Sequence, residues 1–189
     1  FAITFQHEDS YTGTHWTKPE EIQRQCELQF QKHNPEFIKI GLVENFEVLD
    51  QLTNYLIQKF PLLKIIWDPI LKASAGHIFH ERTPLQLDRI LSRVFLITPN
   101  TEELYQLFGD SAEPAHLQKI AQTYRLNILW KGGHNTGINS TDHLITPTGV
   151  KEFSLQRSTL GKHGTGCVLS AAITSALAQG CSLEDACNK

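Results

Sequence analysis

The chain has 189 residues, of which 40% are hydrophobic and 20% charged, as is ordinary for a globular domain with its own core. Its net charge of −3 argues against a nucleic-acid-binding protein, and no apolar run approaches the ~20 residues that span a bilayer. The four cysteines show neither CxxC nor CxxH spacing, which argues against a disulfide framework or a zinc site. We therefore expect one domain in a reducing cytoplasm, with no membrane span and no nucleic-acid partner.

Short β-branched runs alternate with helical patterns along most of the chain. The strands are predicted at Phe1–Phe5, Phe37–Val43, Leu62–Asp68, Phe95–Thr98 and Leu126–Trp130. The helices are predicted to begin with a capping box at Thr17–Glu20 and to continue at Phe46–Phe60, Thr83–Val94, Thr101–Phe108 and Ala115–Tyr124. This alternation predicts an α/β fold, with a mostly parallel central sheet and helices on both faces.

The pattern changes after Trp130. Two runs, Asp142–Thr146 and Val150–Leu155, are joined by a turn and predict a hairpin. A helix of small apolar residues, Val168–Ala178, then follows a glycine-rich loop. The opening FAITF is typical of a strand already under way, and the closing SLEDACNK of a helix cut short. We therefore expect that both ends of the domain are missing from this sequence.

The loop Gly164-Thr165-Gly166 leads into that last helix, with Cys167 in its first turn. Free amides and the positive end of the helix dipole favour an anion there, although a tight turn before a buried helix explains the loop equally well. A thiolate is favoured at such a position relative to its reference pKa of ~8.5, so Cys167 is a candidate base or nucleophile. A buried structural thiol and a nucleophilic pair with His163 are the alternatives.

Polar or glycine-bearing segments end the predicted strands, at Gln6, Gly41, Asp68, Asn100 and Lys131. Lys131 either caps the sheet in solvent or contacts a phosphate group. Asn100 and Glu103 carry oxygens that suit Mg²⁺, while helix capping explains Glu103 equally well. Asp68 is typical of a turn as well as of a site. Because ligands collect where parallel strands end, these residues and the glycine loop together predict phosphoryl transfer.

The segments KIG, DP, TPN, KGGH and HGTGC, in this order after an early glutamine, resemble the ribokinase-like superfamily. Within it they are most similar to the hydroxymethylpyrimidine/phosphomethylpyrimidine kinases of thiamine biosynthesis. The resemblance covers nearly the whole chain, and its most specific feature is the cysteine of GTGC, where most relatives have aspartate. It implies a three-layer ribokinase-like sandwich that uses ATP and Mg²⁺. The implied substrates are 4-amino-5-hydroxymethyl-2-methylpyrimidine and its monophosphate.

The resemblance also implies roles for individual residues. Cys167 would deprotonate the substrate hydroxyl, and Gln6 would hydrogen-bond the aminopyrimidine. The other implied sites are an anion hole (Gly164, Thr165, Gly166), an ATP site (Lys131, Gly133, Thr165) and a magnesium site (Asn100, Glu103, Asp68).

Residues 1–189 form a single kinase domain by this resemblance, without the family's N-terminal strand and loop or its last helices, and a homodimer is implied. Pyridoxal kinase is the nearest alternative, since it shares the fold, ATP and magnesium, but Gln6 favours the pyrimidine. A noncatalytic vitamin- or nucleotide-binding module would be expected to lack Cys167, Lys131 or the Asn100/Glu103 pair, and all are present. A thiol hydrolase built on Cys167 is a weaker alternative.

Overall fold

A computed structural model of the chain describes residues 2–7, 10–71, 84–109, 113–132, 139–156 and 164–188. In chain order the elements are β1 (Ala2–His7), β2 (Ser10–Trp16), α1 (Pro19–Lys32), β3 (Phe37–Ile40), α2 (Phe46–Lys59), β4 (Lys64–Trp67), α3 (Pro84–Leu91), β5 (Leu96–Ile97), α4 (Thr101–Phe108), α5 (Pro114–Tyr124), β6 (Asn127–Trp130), β7 (Asn139–Thr146), β8 (Gly149–Gln156), α6 (Thr165–Ala178) and α7 (Leu183–Cys187). The predicted alternation of strands and helices and the predicted hairpin are confirmed. No helix in these ranges is long and apolar enough to cross a membrane.

The main sheet has six strands in the order β3-β4-β5-β6-β7-β8. The first four are parallel, and the β7–β8 hairpin adds two antiparallel strands at one side. Backbone hydrogen bonds continue past the strand ends, from the Asp68 amide to Ile40 and from the Thr98 amide to Trp67. The residues that follow β3–β6 therefore lie side by side, and we call this row the carboxyl edge of the sheet.

The core lies on both faces of the sheet, because successive side chains of a strand point to opposite faces. Ile65 and Trp67 of β4 pack with α1–α5 on one face, whereas Ile66 packs with Ile173 and Leu177 of α6 on the other. The two buried faces explain why β4 is continuously apolar, as a parallel strand between helix layers must be. The predicted three-layer sandwich is confirmed.

The strand predicted at the start of the chain exists, but it does not join the parallel sheet. β1 pairs antiparallel with β2 in a separate two-stranded sheet. Ile3 and Phe5 on β1 are 62% and 56% exposed, whereas the side chains of a central parallel strand are buried. The expectation that Gln6 ends a strand of the main sheet is therefore wrong. An apolar run of this length does not by itself distinguish the two kinds of strand.

Several element boundaries also differ from the predicted ones by a few residues. Helix α1 begins at Pro19, with Lys18 as the N-cap residue and the Glu21 carboxylate accepting from the Lys18 amide at 3.3 Å. The predicted capping box at Thr17–Glu20 is therefore wrong by one residue. Proline at the first helical position loses no hydrogen bond, because that amide has no partner within the helix.

Candidate active site

The carboxylate of Asp68 lies at the centre of the carboxyl edge, and the residue is 2% exposed. Its Oδ1 atom accepts hydrogen bonds from Thr98 Oγ1 at 3.0 Å and from Lys131 Nζ at 3.1 Å. Its Oδ2 atom accepts one from Ser170 Oγ at 2.9 Å, and Lys39 Nζ lies 3.6 Å away. One buried side chain thus joins β3, β5, β6 and α6.

Strand periodicity explains why these side chains meet. Lys39, Asp68, Thr98 and Lys131 each follow by two positions a residue that packs on the α6 side of the sheet, namely Phe37, Ile66, Leu96 and Leu129. Side chains two positions apart share a face, so all four polar groups point toward α6. The first turns of α6 supply Ser170 from the opposite side.

The Asp68 carboxylate is charged in this arrangement. Burial by itself raises the pKa of Asp68, but the Lys131 charge, the hydrogen bonds from Lys131 and Ser170, and the Lys39 charge together lower it below its ordinary value. A buried charge is tolerated only when it is paired and hydrogen-bonded, and both conditions hold here. Asp68 therefore fixes two ammonium groups beside the N-terminus of α6.

Helix α6 begins with a left-handed glycine. Gly164 is the N-cap residue with φ of 81°, a conformation that costs glycine little, and no side chain caps the helix. The first backbone amides of a helix have no partner within it. Here the ammonium group of Lys131 lies over the first turn, beside these amides. A Cβ atom on Gly166 would lie 3.2 Å from Lys131 Nζ. Gly164, Thr165 and Gly166 are thus brought together with Lys131 in an arrangement that suits an anion.

Cys167 lies in the first turn of α6 and is exposed. Partial burial of the thiol raises the pKa of Cys167, and the negative charge of Asp68 raises it further, while Lys39 and Lys131 lower it in part. The expectation that the helix terminus favours a thiolate here is therefore wrong in direction. The reasons are the partial burial of the thiol and then the charge of Asp68, the residue that follows β4.

Asn100 and Glu103 cap helix α4 reciprocally. Asn100 Oδ1 accepts from the Glu103 amide at 2.9 Å, and Glu103 Oε2 accepts from the Asn100 amide at 2.8 Å. A parallel bridge joins Asn100 to Lys131, which places this capping box beside Asp68 on the carboxyl edge. Burial raises the pKa of Glu103 to about 7; the Asn100 amide and Lys131 oppose this, and the Asp68 charge adds to it. The capping interpretation is confirmed.

Residues of this capping box also carry oxygens that suit a magnesium ion. Within the described ranges, no group of three or more His, Cys, Asp and Glu side chains could hold a metal ion. Mg²⁺ does not need such a cage, because it commonly takes one or two carboxylates and completes its shell with water and phosphate oxygens. Capping occupies only one oxygen of Glu103, and Asp68 is a second carboxylate on the same edge.

Comparison with known proteins identifies the family. The family model described as phosphomethylpyrimidine kinase matches residues 1–189. The chain belongs to the phosphomethylpyrimidine kinase family.

Among its relatives, a hydroxymethylpyrimidine/phosphomethylpyrimidine kinase of Staphylococcus aureus is 29% identical over 180 residues, which cover 89% of this chain and 64% of that protein. The thiamine biosynthesis multifunctional protein ThiED of Corynebacterium efficiens is 28% identical over 95% of this chain and 25% of its own length. The chain thus spans less than two thirds of these relatives.

Solved structures of similar fold include both expected kinds of kinase. The phosphomethylpyrimidine kinase of Clostridium difficile superposes with a TM-score of 0.75 at 24% identity, over 99% of this chain and 79% of that one. The pyridoxal kinase of Staphylococcus aureus in complex with ADP gives 0.77 at 20% identity, over 98% and 70%. At these identities the likeness establishes the ribokinase-like fold alone.

The structure also brings residues to this family's site that the sequence analysis did not single out. Lys39 lies beside the Asp68 carboxylate, and Ser170 and Thr98, the residue after β5, each donate a hydrogen bond to it. The signals were weak: a lysine inside KIG, a serine in an apolar helix, and a threonine before a proline.

The sequence indicated Gly132 only as part of the glycine-bearing segment that ends a strand, with no role of its own. A Cβ atom there would lie 1.9 Å from the carbonyl oxygen of Thr141, so only glycine lets β7 pass this close. The Gly132 amide donates to Asp142 Oδ1 at 2.8 Å, which fixes the backbone just after Lys131. In the sequence, the feature that pointed to Gly132 is the glycine pair of KGG.

The described part of the chain does not test three further predicted residues at this site. Gln6 lies on β1, in the separate two-stranded sheet. Gly133, predicted to bind ATP, and His163, the alternative partner of Cys167, lie outside the described residues.

Proposed function

We propose that this chain transfers the γ-phosphoryl group of ATP to 4-amino-5-hydroxymethyl-2-methylpyrimidine and then to its monophosphate. The observation that carries the proposal is the buried Asp68, which holds Lys131 over the first turn of α6 beside Cys167. An ammonium group and free helix amides around one point form an anion site, and phosphoryl transfer depends mainly on such positioning and charge stabilisation. Membership in the phosphomethylpyrimidine kinase family supports the same reaction.

Each residue has a stated part in this proposal. The amides of Gly164, Thr165 and Gly166 would bind the oxygens of the transferring group, while Lys131, with Gly133 and Thr165, would bind the ATP phosphates. Cys167 would accept the proton of the substrate hydroxyl, and the nearby lysines are the groups that favour its thiolate.

The substrate and metal contacts complete the proposal. Gln6 would hydrogen-bond the aminopyrimidine. Asp68, Asn100 and Glu103 would supply the protein oxygens for Mg²⁺, which when bound would neutralise charge on the ATP phosphates. We expect Glu103→Gln to raise the magnesium concentration needed for half-maximal activity. An unchanged magnesium titration would contradict that assignment.

The test is ATP turnover with hydroxymethylpyrimidine, its monophosphate and pyridoxal measured side by side. We expect turnover with the two pyrimidines and little with pyridoxal. A preference for pyridoxal would keep the fold and mechanism but make this a vitamin B6 kinase. ATP binding without turnover of any acceptor would favour the noncatalytic module.

Cys167→Ala tests the base directly. We expect phosphorylation of the alcohol to be abolished while ATP still binds, and Cys26→Ala, a change at a half-buried thiol of α1, serves as the control. Retained alcohol turnover would remove Cys167 as the base. A homodimer and a cytoplasmic location remain predictions.

A further inference from the structure

Two lysines approach the same buried carboxylate, but they are bound differently. Lys131 Nζ donates a hydrogen bond to Oδ1 of Asp68 at 3.1 Å, and its side chain is 13% exposed. Lys39 Nζ lies 3.6 Å from Oδ2, beyond hydrogen-bonding distance, and its side chain is 21% exposed. Among the described residues no other group pairs with Lys39. Its ammonium group is therefore charged, accessible and still able to donate hydrogen bonds.

The negative charge around the two lysines is also unequal. Lys131 faces Asp68 and, at longer range, the carboxyl groups of Glu103 and Asp142. Within the described ranges, the ion pair of Lys39 is with Asp68, which it shares with Lys131. One carboxylate cannot neutralise two ammonium groups, so the surplus positive charge lies on the β3 side of Asp68.

The position of Lys39 distinguishes it from the lysine beside the glycine loop. Lys131 lies over Gly166, where the transferring phosphoryl group would bind. Lys39 comes from β3, on the other side of Asp68. Of the two lysines, Lys39 lowers the pKa of the Cys167 thiol more. Since Cys167 is the proposed base, an acceptor bound beside Cys167 would meet Lys39 on the β3 side of Asp68.

We propose that Lys39 binds the phosphate group of a phosphorylated acceptor, and so determines whether the enzyme can phosphorylate the monophosphate as well as the alcohol. This inference rests on the proposed function. The alcohol is neutral and gains little from a second cation, whereas the monophosphate presents up to two negative charges and three acceptor oxygens.

The two transfers differ in their need for a base. In the first, the hydroxyl oxygen bonds to the γ-phosphorus of ATP and its proton passes to the thiolate form of Cys167, which becomes the thiol. The bond to the β,γ-bridging oxygen breaks, with its electron pair leaving on ADP. In the second, an oxygen of the acceptor phosphate forms the new P–O–P bond and ADP leaves in the same way. A phosphate ester has a second pKa of about 6, so near pH 8 this oxygen has no proton to lose. The second transfer therefore needs a cation to hold the acceptor more than it needs a base.

Two substitutions in the full chain test this by opposite effects on the two acceptors. We expect Lys39→Met to lower kcat/KM for the monophosphate by about 10- to 100-fold, the usual worth of a charge-assisted hydrogen bond. The alcohol reaction should fall clearly less, because it loses only the effect of the Lys39 charge on Cys167. Cys167→Ala should abolish the alcohol reaction and retain most of the monophosphate reaction. Lys39→Arg, which keeps the charge, should retain most of both.

Lys59→Met is the matched control, because Lys59 is an exposed lysine of α2 that pairs with Glu27 at 3.4 Å, away from the site. Lys131→Met, in contrast, should impair both acceptors together. An equal loss with both acceptors in Lys39→Met would overturn the inference, since Lys39 would then act only by holding Asp68. An unchanged monophosphate reaction would overturn it as well.

A binding measurement separates this inference from the proposed function. Calorimetric titration of the chain with the pyrimidine alcohol and its monophosphate should show that Lys39→Met weakens only the monophosphate, by about 10-fold or more. That result without any turnover would support Lys39 as the phosphate contact while refuting the kinase activity. Equal affinities of wild type and variant for the monophosphate would refute the role of Lys39.

A second variant is available if Lys39→Met unfolds the chain. A Cβ atom at Gly41 would lie 3.3 Å from Lys39 Nζ and 3.6 Å from Ile70 Cδ1. Gly41→Ala therefore displaces the ammonium group by a few tenths of an ångström and leaves its charge in place. We expect a loss of about twofold to fivefold with the monophosphate alone. Unchanged activity with the monophosphate, or an equal loss with the alcohol, would contradict the role of Lys39 as the phosphate contact.

Discussion

The carboxyl edge of the main sheet and the two-stranded sheet β1–β2 are held together in different ways. At the carboxyl edge, side chains from β3, β5, β6 and α6 converge on the buried Asp68. In β1–β2, two neighbouring segments pair by backbone hydrogen bonds, and Ile3 and Phe5 remain exposed. The first region therefore depends on long-range contacts between charged groups, whereas the second depends on local pairing.

Removal of the central carboxylate should have the largest effect. We expect Asp68→Ala to lower the free energy of unfolding by about 3–5 kcal/mol, because it leaves two lysines close together without their partner. Urea denaturation measures this, with Asp88→Ala as the control, since Asp88 is an exposed acid whose carboxylate accepts from Tyr124 Oη at 2.7 Å. A loss no larger than that of the control would show that Asp68 does not hold the edge together.

Gly132→Ala should have the next largest effect on stability, because its Cβ atom would collide with backbone rather than with a side chain. We expect a loss of about 3 kcal/mol in the free energy of unfolding, the upper range for overpacking. Gly149→Ala on the hairpin is the matched control, because a Cβ atom there meets nothing within 4 Å. Similar stability of the two variants would contradict the close approach of β7 to the Lys131 segment.

One substitution placed in both regions sharpens the comparison. Ile66→Val removes a methyl group from a side chain with 0% exposure, and should cost about 1 kcal/mol. Ile3→Val removes the same group from a residue that is 62% exposed, and should change stability by less than about 0.5 kcal/mol. Equal losses in denaturant unfolding would mean that β1 is buried in solution.

A partly exposed carboxylate should show a smaller and pH-dependent effect. Burial by itself raises the pKa of Asp50, but the hydrogen bonds and charges of Arg89 and Arg93 outweigh it and lower the pKa below its ordinary value. The stabilisation is therefore complete above the unfolded-state pKa near 4 and is lost as pH falls through the lower folded-state pKa.

Comparison of wild type with Asp50→Asn measures this contribution. We expect the difference in the free energy of unfolding to be about 1 kcal/mol at pH 6, and to decrease as the pH is lowered from about 5 to 3. A difference that is constant over this range would rule out a stabilising charge on Asp50.

The sequence predicted most of the fold because its signals are local. The β-branched runs at β4 and β6, the amphipathic pattern of α2 and the hairpin after Trp130 depend on residues close in the chain, and all are confirmed. The capping box of Asn100 and Glu103 was likewise visible, since its partners are three residues apart. The placement of β1 was wrong because strand identity does not reveal which strand it pairs with.

The candidate site was predicted only in part, for the same reason. Periodicity and strand ends indicated Asp68, Lys131 and the glycine loop, but Ser170 is 102 residues from the aspartate that it contacts. The sequence contained Lys39 within the KIG segment but did not indicate a role for it in the site. The direction of the Cys167 pKa shift also depended on the burial of the thiol and on the Asp68 carboxylate, which follows β4.

The sequence by itself determined the order of strands and helices, the glycine loop and the polar residues that end the strands, because propensity, capping and periodicity act over a few residues. The tertiary structure alone decided which of those polar groups share one buried carboxylate, and which lysine keeps its charge accessible. Such outcomes depend on distances between groups far apart in the chain, and electrostatic energy is set by those distances and by burial.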